Sequence, residues 1–196
     1  MKESNSTDGN YQFRDYTPFV KAAILTNLSM RPFIYLGSGV SNLNIFDEVI
    51  AFAEKISAPI GASFQKSIKN NVKHSLYFGH TGINGMFEAN KALAESDLII
   101  AIGSSSCADI QCSFEFIKNK KIICITELEN KIQNDTKISL NLNGDIKQII
   151  TLLTSITLGH YNSNNFWIRD IKNSARVISS SNNDVFELPE TVAFAK

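Results

Sequence analysis

The stretch Asp97-Leu-Ile-Ile-Ala-Ile-Gly103 constrains the fold more than any other feature of the chain. A short apolar run without alternation, closed by glycine, fits a strand buried on both faces, and such strands belong to parallel sheets covered by helices. A second run, Pro32-Phe-Ile-Tyr-Leu36, ends in Gly37-Ser38-Gly39 and reads the same way. Ala58 to Ser63 and Lys121 to Thr126 supply further short strands, and Lys137 to Leu142 alternates as a last one.

Helical periods separate these runs. Thr17 fits an N-cap with Pro18 at the first helical position, opening a helix that reaches Met30. Leu43 to Ile56 carries Phe46, Val49, Ile50 and Ala53 on one side, and Met86 to Glu95 buries Ala89, Leu93 and Ala94. Ser67 to Phe78 is irregular, Gly79 to Gly85 is a glycine-punctuated turn, and Phe114 to Lys118 reads as a short helix. Ile146 to Ile156 closes the pattern as an apolar helix. Strands interleaved with helices imply parallel pairing through right-handed crossovers, hence an α/β fold of three layers with a mostly parallel sheet of about five to six strands.

The flanks differ. Residues 1–16 are polar and aperiodic and read as a flexible tail, residues 17–158 as the α/β domain, and residues 159–196 as a linker helix and tail. In that last segment Asn165 is placed to cap a helix from Phe166 to Ile178, with Trp167, Ile168 and Ile171 apolar.

Charge narrows the function classes. Lys and Arg total 19 against 19 Asp and Glu, with no basic stretch interleaved with aromatics, so nucleic acid and anionic membranes are not expected partners. The start lacks the order of a signal peptide, and no apolar run approaches the roughly 20 residues of a membrane helix. Cys107, Cys112 and Cys124 fit neither a disulfide framework nor a zinc site, which points to reduced thiols in a cytoplasmic protein.

Ligands of open α/β sheets bind beyond the carboxyl ends of the strands, where loops meet helix N-termini. The candidate residues there are Gly37, Ser38 and Gly39; Gly79, His80 and Gly82; Gly103, Ser104 and Ser105; and Gly144 with Asp145. Each loop reads equally as a tight turn. A dinucleotide fingerprint would need a third glycine where Asn42 stands, and there is no Walker lysine pattern. His80, alone of the three histidines in a glycine loop, is either a ligand contact or a plain loop residue. No catalytic constellation and no metal-ligand spacing is present, so neither is expected on this chain.

Three blocks carry a resemblance. Arg31-Pro32-Phe33-Ile34-Tyr35-Leu36-Gly37-Ser38-Gly39 resembles the opening strand of the central domain of acetolactate-synthase-like, thiamine-diphosphate-dependent enzymes. Gly79-His80-Thr81-Gly82, Ala89-Asn90-Lys91-Ala92-Leu93 and Ser96-Asp97 to Gly103 are similar to that family's next block: a glycine turn, an Ala-Asn helix and a Ser-Asp strand. Gly144-Asp145 before an apolar helix resembles the closing element.

The resemblance implies a Rossmann-like middle domain that acts as a scaffold. It implies that the parent enzyme is a lyase or transferase, usually a homo-oligomer. The pyrimidine- and diphosphate-binding domains of such a parent, which hold thiamine diphosphate and magnesium, would be this domain's partners. Some members hold FAD or ADP on the middle domain. In those binding FAD, Gly-x-Arg follows the Ser-Asp strand; here the arginine position is Ser105. Loss of that cation removes a charge-assisted contact of about 1.5–3 kcal/mol, so the nucleotide site implied is degenerate. The acidic residue expected at the end of the next strand falls at Thr126, beside Glu127.

Two other readings stand beside it. One is a stand-alone nucleotide-binding or assembly subunit. The other is a sirtuin-like NAD-binding protein, since Gly37-Ser38-Gly39-Val40-Ser41 resembles that family's Gly-Ala-Gly-x-Ser; its further motifs and zinc cysteines are missing.

Overall fold

Strands form where the unalternating apolar runs lie. The computed structural model describes residues 15–63, 73–82, 84–103, 120–127, 139–159 and 165–180. Within them β1 (Pro32–Leu36), β2 (Ile60–Ala62), β3 (Tyr77–His80), β4 (Leu98–Ile102), β5 (Lys121–Thr126) and β6 (Leu140–Asn143) make one sheet. Its order is β3-β2-β1-β4-β5-β6, and every pairing is parallel. The chain therefore winds outward from β1 in one direction, returns at β4 and winds outward in the other. The point of reversal lies between β1 and β4, which pair from Pro32↔Leu98 to Leu36↔Ile102.

Period-two geometry sends successive side chains to opposite faces, and both faces are covered. On one, Ile34, Leu36, Ile100, Ile102, Ile123 and Ile125 pack against α1 (Thr17–Leu28), α2 (Phe46–Ile56) and α4 (Ile146–Ile156). On the other, Phe33, Tyr35, Ile99 and Cys124 pack against α3 (Phe87–Glu95) and against Trp167, Ile168 and Ile171 of α5 (Asn165–Ser180). Three layers result. The α5 helix is fixed by more than apolar contact: the Trp167 indole N–H donates to Glu95 at 2.9 Å, and Lys91 donates to Ser174 at 2.8 Å. The apolar residues read for the linker helix thus belong to the second core.

At the amino-terminal rim of the sheet, side chains hold the backbone. Asp97 accepts from the N–H of Met30 at 2.8 Å and of Arg31 at 3.1 Å, and from the Ser29 hydroxyl. The Lys120 ammonium donates to the carbonyl of Ala94 at 2.7 Å and to that of Ser96, capping the end of α3.

Several boundaries move. Tyr16, not Thr17, is the residue preceding α1, and Asp15 accepts the Thr17 N–H at 2.8 Å, satisfying one of the free donors of the first turn. Tyr77–His80, split in the sequence reading between an irregular stretch and a turn, is edge strand β3. The α2 helix begins at Phe46 rather than Leu43, after a single 3-10 turn over Ser38–Asn42. The short helix expected from Phe114 to Lys118 lies outside the described residues. Among the described residues no helix is long and apolar enough to cross a membrane.

Candidate functional site

Parallel topology brings the loops after β1, β3, β4, β5 and β6 to the carboxyl rim. There the first residue beyond β1, β2, β3, β4 and β6 donates its N–H to a neighbouring strand. Thr81 donates to Ala62, Ser63 to Leu36 and Gly37 to Ile102, each at 2.9 Å. Gly103 donates to Ile125 at 2.8 Å and Gly144 to Thr126 at 3.0 Å. The sheet ends in one continuous rung of main-chain bonds.

Gly39 and Gly103 meet at the point of reversal. The Gly39 N–H donates to the Gly103 carbonyl at 2.7 Å. A β-carbon on Gly39 would lie 2.5 Å from that oxygen, and one on Gly103, whose φ is +65°, would lie 2.5 Å from Val40 Cγ1 and 2.8 Å from Val40 N. Glycine is required at both positions because the two loops touch backbone to backbone. The described amides of Gly37, Gly39 and Gly103 at this point are bonded to neighbouring carbonyls.

Other candidates are engaged as well. Asp145 is the N-cap of α4 and accepts from Gln148 N at 2.8 Å. The Thr126 hydroxyl donates to Asn143 at 3.1 Å, and His80 Nε2 lies 3.1 Å from the Asn84 carbonyl. Gly82 is held at both ends of its peptide: its N–H donates to Asn90 Oδ1 and its carbonyl accepts from Asn90 Nδ2, both at 2.9 Å. Asn90 is buried on α3, and the sequence reading noted it only within the Ala-Asn helix; a polar residue at a core position of an amphipathic helix was the available signal. Ser38 sits in the 3-10 turn. Ser104 and Ser105 lie outside the described residues.

Among the described residues of these loops there is no lysine or arginine, while Glu127 and Asp145 bring carboxylates. The nearest downstream lysine, Lys147, bonds Glu48 at 2.8 Å; that hydrogen bond raises the lysine pKa and lowers that of the carboxyl. A diphosphate here would meet the carboxylates of Glu127 and Asp145, with Lys147 beside Asp145 already paired with Glu48. Among the described residues no group of three or more His, Cys, Asp or Glu stands close enough to hold a metal ion.

Comparison with known proteins is decisive for the family. The profile of "Thiamine pyrophosphate enzyme, central domain" matches residues 20–153. The acetolactate synthase large subunit of Haemophilus influenzae is 24% identical over 148 residues, covering 71% of this chain and 26% of that protein. That of Buchnera aphidicola from Acyrthosiphon pisum is 33% identical over 102 residues, covering 48% and 18%. A sulfoacetaldehyde acetyltransferase of Alcaligenes xylosoxydans is 29% identical over 136 residues, covering 65% and 23%. The chain spans about a quarter or less of these relatives. The matched span runs from α1 into α4 and takes in all six strands, and the chain belongs to the central-domain family of thiamine pyrophosphate enzymes.

Proposed function

We propose that this chain is the non-catalytic central domain of an acetolactate-synthase-like decarboxylase or carboligase, serving as a scaffold rather than as a nucleotide carrier. The reaction belongs to the parent's other domains, which hold thiamine diphosphate and magnesium when bound. The observation that carries this reading is the bond from Gly39 to Gly103. With Gly37 and Gly103 donating along the rung, Asp145 capping α4 and Lys147 paired with Glu48, the described carboxyl ends of the strands are turned to holding the sheet together. On this reading the nucleotide site of some family members is degenerate here.

A thermal-shift titration of the chain with FAD, ADP, NAD, and thiamine diphosphate plus magnesium tests it. A ligand at about 100 times its dissociation constant adds roughly 2.7 kcal/mol, a readily measured rise in melting temperature. No rise with any of them is expected. A rise with FAD or ADP would show that the rim carries a working site, and a rise with thiamine diphosphate would remove the scaffold assignment altogether.

A further inference from the structure

The outward face of α1 has the wrong chemistry for solvent. A surface helix of a three-layer domain ordinarily buries one stripe and places charge on the other. On α1 the buried residues are Phe19, Ala22, Ala23 and Thr26, and Lys21 is the helix's single charged residue. Its solvent side presents Val20 and Ile24, each 50% exposed, and Leu28 at 69%, preceded four residues earlier by Tyr16 at 51%. These four are spaced at i, i+4, i+8 and i+12, so they form one continuous ridge along the helix. Leu158, 71% exposed, extends the face sideways, held against the helix by its N–H donating to Asn27 at 2.9 Å. Met30, 63% exposed, follows the helix end.

We propose that this face is a self-association surface on which a second copy of the chain packs, α1 against α1, about a two-fold axis through Ile24. Area and symmetry both favour that occupant. At half to two-thirds exposure the six residues present roughly 600 Å² per copy, so a pair covers about 1,200 Å², the lower end of a standard interface. A patch of that size lies at the top of what a monomer usually shows to water. A two-fold interface must complement itself, and the ridge does so: with Ile24 on the axis, Val20 of one copy meets the partner's Leu28, apolar against apolar. No like charges oppose one another along the ridge. This association does not depend on the ligand reading above, and its failure would leave that reading standing.

Sedimentation equilibrium of the full chain, from micromolar to hundreds of micromolar, reads the outcome. A mass rising from monomer to dimer is expected. Ile24→Glu, which places two carboxylates on the axis, should weaken the dimer by about a hundredfold while leaving the melting profile of the monomer in place. Phe166→Glu, at an exposed apolar position on α5, should leave the dimer unchanged. Ile24→Cys should raise the yield of disulfide-linked dimer under mild oxidation well above that of the unsubstituted chain. A chain monomeric throughout, which would assign the face to another domain of the parent enzyme, overturns the proposal. So does a dimer indifferent to Ile24→Glu, or one equally sensitive to Phe166→Glu.

Discussion

The Gly39 amide and the Gly103 carbonyl stand 2.7 Å apart, joining the loops after β1 and β4 where the winding of the sheet reverses. In Gly39→Ala the new methyl would sit 2.5 Å from a backbone oxygen that has no side-chain freedom to withdraw. Overpacking of this kind costs typically about 1–3 kcal/mol. Urea unfolding should show a lower midpoint with an unchanged slope. A substitution that leaves the midpoint in place would mean that the two loops are not in contact.

Asn90 and Gly82 make the second such prediction. Asn90→Ala removes both bonds to the Gly82 peptide and should cost about 1–3 kcal/mol. Asn90→Asp keeps the acceptor for the Gly82 N–H and loses the donor to its carbonyl. Amide exchange at Gly82 should therefore quicken strongly in the alanine variant and less in the aspartate variant. Equal exchange in both would refute the clamp.

Asp145 separates capping from ligand binding. Asp145→Ala should lower stability by about 1 kcal/mol through loss of the α4 cap, and Asp145→Asn should recover most of it. Thermal unfolding of the pair decides this. Two variants equally unstable would assign the residue to its charge rather than to its bond with Gln148.

Lys120 gives a pH dependence. Burial pulls its pKa down from 10.5 to about 8, outweighing the opposing pull of Asp97 and Glu95. Between about pH 8 and pH 10.5 the folded chain has released a proton that the unfolded chain retains, so this group's contribution to stability rises with pH across that window. Below it both states are protonated and the contribution is level. The stability of the unsubstituted chain relative to Lys120→Met should therefore increase on raising the pH through that range. A difference constant with pH would place Lys120 in water.

What the sequence disclosed, and what it hid, follows from where each element sits. The β1 and β4 strands are buried on both faces, and burial of that kind leaves an unbroken apolar run that needs no neighbour to interpret. The β3 strand lies at the sheet edge, half-buried except at Phe78, and holds β2 through a shifted register, so Tyr77-Phe-Gly-His80 lacks any repeating pattern. Of the candidate site, the loops and their glycines were legible because chain reversal leaves glycine behind. The use made of their amides was not, since Gly39 and Gly103 are 64 residues apart and only the completed sheet brings them together. Asp145 illustrates the same limit: an acid before a helix is a cap or a contact according to what lies beyond it.

The two rims of the sheet are fastened by different means. At the amino-terminal rim specific side chains, Asp97 and Lys120, grip the chain, whereas at the carboxyl rim a main-chain hydrogen bond joins every neighbouring pair of strands. Peptide groups are common to every residue except proline as donors. The upper rim can therefore exchange the side chains of its loops, gaining or discarding a binding role over time, while the architecture underneath stays as it is.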